Sequence, residues 1–136
     1  MNVFSSKEIM SALNEGLAEA ERRGVHVGIS VIDEGCNMVG CIVMEGREVW
    51  LAEDSKGKAM ATVAMLGRPS GEMQERAGSP WYGWVNNQYK GALNFMKGGV
   101  PVKRDGVLVG AVGAGGAPLD DDEAIAWVVA RALGDK

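Results

Sequence analysis

The chain offers few side chains that can do chemistry, and they are scattered. His26 is the single histidine, and an imidazole that titrates near neutral pH can serve as a general base. It has no visible partner: no HExxH, CxxC or nucleophile-elbow pattern occurs, and no Ser/His/Asp set follows from spacing. The plainer reading is a histidine at a strand start, solvated or bonded to a helix end. Lys56, Lys58 and Lys97 are the candidate anion binders. Lys97 precedes the Gly98-Gly99 pair, whose exposed backbone N–H groups would complete a small anion site; the plainer reading of each lysine is a surface charge. Trp81, Tyr82 and Trp84 are dense enough to stack on a planar ligand, or to anchor an oligomer interface. Asp120, Asp121, Asp122 and Glu123 read as cap and helix-dipole chemistry rather than a cation site. Cys36 and Cys41, read on one strand, lie five apart and so face opposite sides. No metal site is expected.

The glycine runs at 98–99 and 113–116 do not make a phosphate loop. Gly110-x-x-Gly113 lacks the strand-turn-helix context, and no Lys-Ser/Thr follows. Positive-φ turns and close packing between subunits explain them better.

The elements that must position these residues follow from periodicity. Residues 5–23 read as an amphipathic helix, with Ser5 and Glu8 forming a capping box, Ile9, Leu13, Leu17 and Ala20 on one stripe, and Gly24 as the stop. The period then changes to two. Val25, Val27, Ile29 and Val31 point one way, and His26, Gly28, Ser30 and Ile32 the other. After a turn at 33–35, residues 36–44 form a partner strand that is apolar on both faces, which calls for cover on both sides, by helices or by another subunit. Residues 49–66 read as a second helix, with Ala52, Ser55, Ala59, Val63 and Leu66 inward; Gly57 inside it costs about 1 kcal/mol relative to Ala, which close packing or a ligand would justify. Residues 68–95 are irregular, with short helical turns, and hold five of the eight aromatic residues. A strand near 99–103, the Asp105-Gly106 turn and a strand at 107–114 make a hairpin. Residues 119–133 close the chain as a helix with Asp120 as N-cap and Ile125, Val128, Val129 and Ala132 inward. The order α-ββ-α-(irregular)-ββ-α predicts one α+β domain over 1–136, with a central antiparallel sheet.

Bulk properties bound the partners. A chain of 136 residues, 46% hydrophobic and 24% charged with net charge -4, is one globular domain. It is a poor surface for nucleic acid or an anionic membrane. Its first residues lack a signal-peptide plan and no run nears 18 apolar residues, so a cytoplasmic protein is expected.

Taken as a set, VHVGISVIDEGCNMVG, a helix carrying KGKAMAT, and GGVPVKRDGVLVGAVGAGGAPLDDDEAIA resemble the GlcG/HbpS family of small haem-binding proteins. That family includes the C-terminal haem-binding domain of the PduO adenosyltransferase. Gly98-Gly99-Val100-Pro101 looks like its Gly-Gly-x-Pro strand. Gly110, Gly113, Gly116 and Ala117 match its second glycine cluster, and Asp122-Glu123 its final helix start. The first half matches through Val31-Ile32-Asp33, Gly35 and Lys58-Ala59. The resemblance implies a profilin-like three-layer α/β/α fold, homo-oligomers from dimer to octamer, and haem or another small ligand bound near subunit contacts. Lys58 would then meet a carboxylate or propionate, and His26 the iron; Met60, Met65, Met73 and Met96 are further candidate iron ligands, their plainer reading being core filling. Two departures are plain: Gly115 stands where the family usually has serine, and the histidine lies on a strand rather than a helix.

Three readings follow. The first is a small-ligand binder, haem being the ligand that the resemblance suggests, with a site built from Lys58, Trp81, Tyr82, Trp84, Lys97, Gly98, Gly99 and Pro101. The second is an enzyme acting on a small organic acid through Lys58, Lys97 or His26. The third is a structural oligomer with no small-molecule role.

Overall fold

The computed structural model describes residues 3–135. Helix α1 (Ser6–Arg23) begins where the Ser5 hydroxyl accepts from Glu8 N and the Glu8 carboxylate accepts from Ser5 N, at 3.1 and 2.8 Å. It ends at Gly24, whose φ of 68° is the left-handed cap that glycine adopts without strain. Then come β1 (Gly28–Asp33), β2 (Met38–Val43), α2 (Leu51–Ala64), a 3₁₀ segment (Ser70–Arg76), α3 (Pro80–Gln88), β3 (Gly99–Arg104), β4 (Val107–Gly115) and α4 (Leu119–Leu133).

Two hairpins lie side by side in one antiparallel sheet of order β2-β1-β4-β3. Gly28 pairs with Gly115, Val31 with Val112 and Pro101 with Ala111. Strand alternation divides large from small. Val27, Ile29, Val31, Val100, Val102, Val112 and Ala114 join residues of α1 and α4 in the main core. Gly28, Ser30, Gly99, Ala111 and Gly113 face α2 instead. A Cβ on Gly113 would run into the Ser55 carbonyl, one on Gly99 into the Lys58 carbonyl, and one on Gly28 would lie 2.8 Å from Leu51 Cβ. The glycines therefore let α2 settle with its backbone almost on the sheet. The α+β antiparallel sheet expected from the element order, and the profilin-like three-layer fold that the resemblance implies, are observed: α1 and α4, sheet, α2.

A satellite cluster of Ala61, Met73, Tyr82, Leu93 and Phe95 rests on the far part of α2. It gathers the region read as irregular around its own apolar centre. Among the described residues no helix is long and apolar enough to cross a membrane.

Several local expectations are corrected. β2 is an edge strand whose faces the helices of its own chain cover only in part, with Met38 and Cys41 exposed. Cys36 does not share that strand but sits in the preceding turn at φ 64°. Leu66 is 87% exposed and lies beyond the end of α2, so the buried stripe of that helix is Leu51, Ser55, Lys58, Ala59 and Thr62 instead. Asp120 is not the N-cap of α4. Pro118 holds that position without a side-chain bond, and the inward carboxylate is Asp122. The close approach of the two glycine runs is to α2 of the same chain.

Gly113→Ala should lower stability by about 2–3 kcal/mol in urea denaturation, because backbone on both sides must move. Gly83→Ala, inside α3 with open space around it, should be neutral or stabilising by up to roughly 1 kcal/mol.

Candidate functional site

The inner face of α2 carries a lysine into the glycine-lined layer. Lys58 is 2% exposed, and its Nζ donates to the Ala114 carbonyl at 2.9 Å and to Asp122 Oδ2 at 3.2 Å, with Asp54 Oδ2 at 3.8 Å. The socket exists because side chains are missing around it. A Cβ on Gly98, at φ 137°, would lie 2.9 Å from Nζ, and one on Gly115 would strike the Asp54 carboxylate. Asp122 Oδ1 accepts from Ala117 N at 3.0 Å, so one carboxylate ties the start of α4, the end of β4 and α2 together.

One ammonium thus faces two carboxylates. Burial pushes the Asp122 carboxyl up to about 6, and Asp54 pushes the same way; Lys58 and the Ala117 N–H oppose them. A buried pair of this kind adds little net stability over apolar packing, but removing one partner leaves the other charge stranded.

Asp54 also borders an open groove. Its Oδ1 accepts from Asn94 Nδ2 at 2.9 Å. The groove, about 440 Å³, runs between Trp50, Asp54, Lys56, Gly57 and Met60 on one side and residues 91–94 on the other. Gly57 is what brings the two sides together: its carbonyl accepts from Asn94 N at 3.1 Å, and a Cβ there would lie 2.8 Å from the Ala92 carbonyl. Close packing, not a missing ligand, accounts for a glycine in the middle of the helix. The opposite wall is pinned by Asn86, which donates to Leu93 O at 3.1 Å and accepts from Leu93 N at 2.8 Å. Chemically the groove combines a half-exposed indole, a thioether and apolar walls with Lys56 and two carboxylates at its rim, a surface suited to a flat ligand with a polar edge.

The residues singled out from sequence fall in separate places. Lys58, Gly98 and Gly99 meet at the buried socket, where Gly99 N donates to Ser70 Oγ at 2.8 Å. Lys97 lies on the surface, its Nζ 2.5 Å from Asp120 Oδ1, a pairing that raises the lysine pKa and lowers that of the acid. Trp81 and Trp84 point outward, 59% and 63% exposed, while Tyr82 is buried edge-on against Phe95 with centroids 5.0 Å apart. Pro101 is buried on the outer strand β3. His26 is exposed, its Nδ1 2.8 Å from the Glu45 carbonyl. Among the described residues no group of three His, Cys, Asp or Glu could hold a metal ion. The sequence reading did not find Asp54, Trp50 or Asn94, and it took Asp122 for one of a run of capping acids. The signal available for Asp122 was its match to the start of the family's final helix.

Fold and socket define a class: small α+β proteins whose antiparallel sheet is packed by two helices on its branched face and by one on its glycine face. The chain matches the family model described as "Haem degrading protein HbpS-like" over residues 4–131, and it belongs to the HbpS-like family. Among solved structures it is similar to HbpS, with 26% identity, TM-score 0.82, and 98% of this chain and 92% of that one covered. A PduOC:haem complex aligns at 23% identity and TM-score 0.83 over 96% and 94% of the two chains. The Klebsiella pneumoniae protein ORFY aligns at 21% and 0.85 over 97% and 91%. No curated protein sequence matches the chain.

The raised Asp122 carboxyl sets a pH dependence. Its folded pKa lies above the ordinary 3.8, so its stabilising contribution is complete below that value and is lost as pH rises through about 6. Wild type should therefore lose stability relative to Asp122→Asn between about pH 4 and 7, by up to roughly 3 kcal/mol in urea denaturation. Parallel curves would refute the assignment. Lys58→Met should cost about 3–5 kcal/mol at neutral pH, because Asp122 is then buried without its cation.

Proposed function

We propose that the chain is a small-ligand-binding protein and that its ligand is haem, taken up in the groove beside α2 near a contact between subunits. The observation that carries the reading is membership of the HbpS-like family over residues 4–131. The fold shared with a haem-bound relative supports it.

The groove residues fit the group in part. Trp50, Met60 and Leu93 would face an aromatic macrocycle and Lys56 a propionate. The Met60 thioether is the one soft donor lining the groove. His26 is the other donor worth testing, though it lies outside the groove of its own chain. Haem, when bound, supplies a redox-active iron; the chain's own part is to shield one face and hold the acidic edge. Trp81 and Trp84, both outward, remain proposed as ligand or subunit contacts, with a homo-oligomer the expected assembly. Lys58 would act from beneath, by fixing α2 and Asp54. The alternative of an enzyme acting on a small organic acid has less support, because Lys58 and Lys97 are each engaged by a carboxylate.

Titration of the purified protein with haemin should give a saturable Soret shift at micromolar concentration. Met60→Ala should move the band and weaken binding about tenfold, equivalent to ~1.4 kcal/mol, while His26→Ala leaves the spectrum unchanged. The reverse pattern would give the iron to His26. No saturable shift would end the haem reading.

A further inference from the structure

Helix α4 and the β3–β4 hairpin leave a pocket between them, on the other side of the molecule's chemistry from the groove beside α2: the two share no residue. It holds about 290 Å³. Trp127, Ala130 and Arg131 line it from the helix, Pro101, Lys103 and Gly106 from the hairpin, and Asp135 closes one end. Its walls are fixed. Ala130 and Pro101 are buried, and Trp127 packs partly against the main core. Asp135 N donates to the Lys103 carbonyl at 2.8 Å and Arg104 Nε to Leu133 O at 2.8 Å, which ties the end of the chain to the outer strand.

The positive charge at this pocket is not matched by its surroundings. Arg131 follows Trp127 by one helical turn, and its guanidinium lies over the indole, 5.3 Å from the ring centroid. It has no carboxylate partner among the described residues. A guanidinium held against a ring face keeps its in-plane N–H donors for a carboxylate. Asp135 does not fill that role, because its Oδ1 and Oδ2 accept from Asp105 N and Gly106 N at 3.2 and 3.4 Å. Lys103 forms no ion pair either. Its stem runs toward Gly67, so it adds positive potential at the margin rather than a direct contact. In a chain of net charge -4, such a surplus beside apolar walls selects for an anion.

Size and chemistry narrow the occupant. The volume is roughly the liquid share of ten waters at ~30 Å³ each, room for one ring with a carboxyl group and too little for a haem. An inorganic anion would leave Trp127, Ala130 and Pro101 uncovered, and an uncharged ring would leave Arg131 unpaired. We propose that this pocket is a second ligand site, one that takes a small aromatic monocarboxylate. The carboxylate pairs with the Arg131 guanidinium, and the ring lies between Trp127 and Pro101. The site stands whether or not the chain binds haem.

Benzoate titrated into the ¹⁵N-labelled full chain should shift the Trp127 indole N–H and the Gly106 and Ala130 amides saturably, with a Kd of about 0.1–1 mM. Trp50 and Leu93 should stay in place. Benzamide, which keeps the shape without the charge, should bind about tenfold more weakly, and so should benzoate to Arg131→Gln. Arg131→Lys should fall between, and Lys103→Gln should change little at physiological salt. Haemin added to the benzoate complex should leave the benzoate shifts intact. No saturation by ~10 mM, a value well above any useful fragment affinity, would overturn the proposal. Shifts centred on Trp50 and Leu93, equal binding of benzamide, undiminished binding by folded Arg131→Gln, or displacement by haemin would do the same.

Discussion

A single buried ammonium constrains the layout around it. Lys58 can enter the interior only if a carbonyl and a carboxylate meet it there, and those come from β4 and α4, 56 and 64 residues further along the chain. Its room comes from glycines: Gly98 and Gly115 stand where any side chain would occupy the same space. Leaving such a cation unmatched would cost several kilocalories per mole, so the arrangement is fixed at once in three elements. The helix cannot shift along the sheet without stranding the lysine, and α4 cannot start elsewhere without losing Asp122. The pair specifies geometry more than it adds stability.

The same constraint explains why the two sheet faces differ so much. Branched residues on one face pack two helices at ordinary side-chain distance, whereas the other lets a helix backbone rest on strand backbone. Ser30 and Ser55 illustrate the second mode. Their hydroxyls meet at 2.7 Å under α2, where a larger pair would not fit. With α2 held this low, its outer side forms one bank of the groove and Gly57 admits the other.

Much of this fold could be read from residues alone, because the relevant signals are local. Ser5 with Glu8, Gly24 at φ 68°, and Asp105-Gly106 between β-rich flanks each act within a few positions. What escaped depended on distant partners. Two-sided apolarity in β2 reports side-chain type, not whether a neighbouring strand exists. Asp120, Asp121 and Asp122 are alike in sequence, and only the position of Lys58 makes Asp122 the buried one. Tyr82 turns inward because Phe95 and Met73 form a cluster around it, while its neighbour Trp81 turns out. The groove joins residues near 50 and near 90 through Gly57, a contact that no periodicity encodes.

The way residues 91–94 hang on the molecule has a mechanical consequence. Helix α2 is keyed to the sheet by glycines and by Lys58, so it cannot yield when something enters beside it. The opposite bank is held by hydrogen bonds from Asn86, from Asn94 to Asp54, and from Asn94 N to the Gly57 carbonyl. These side-chain bonds are part-buried, and Leu93 anchors the same segment in the satellite cluster. The width of the opening is therefore set from both banks, on one by the seat of α2 on the sheet and on the other by amide side chains acting together with one buried leucine.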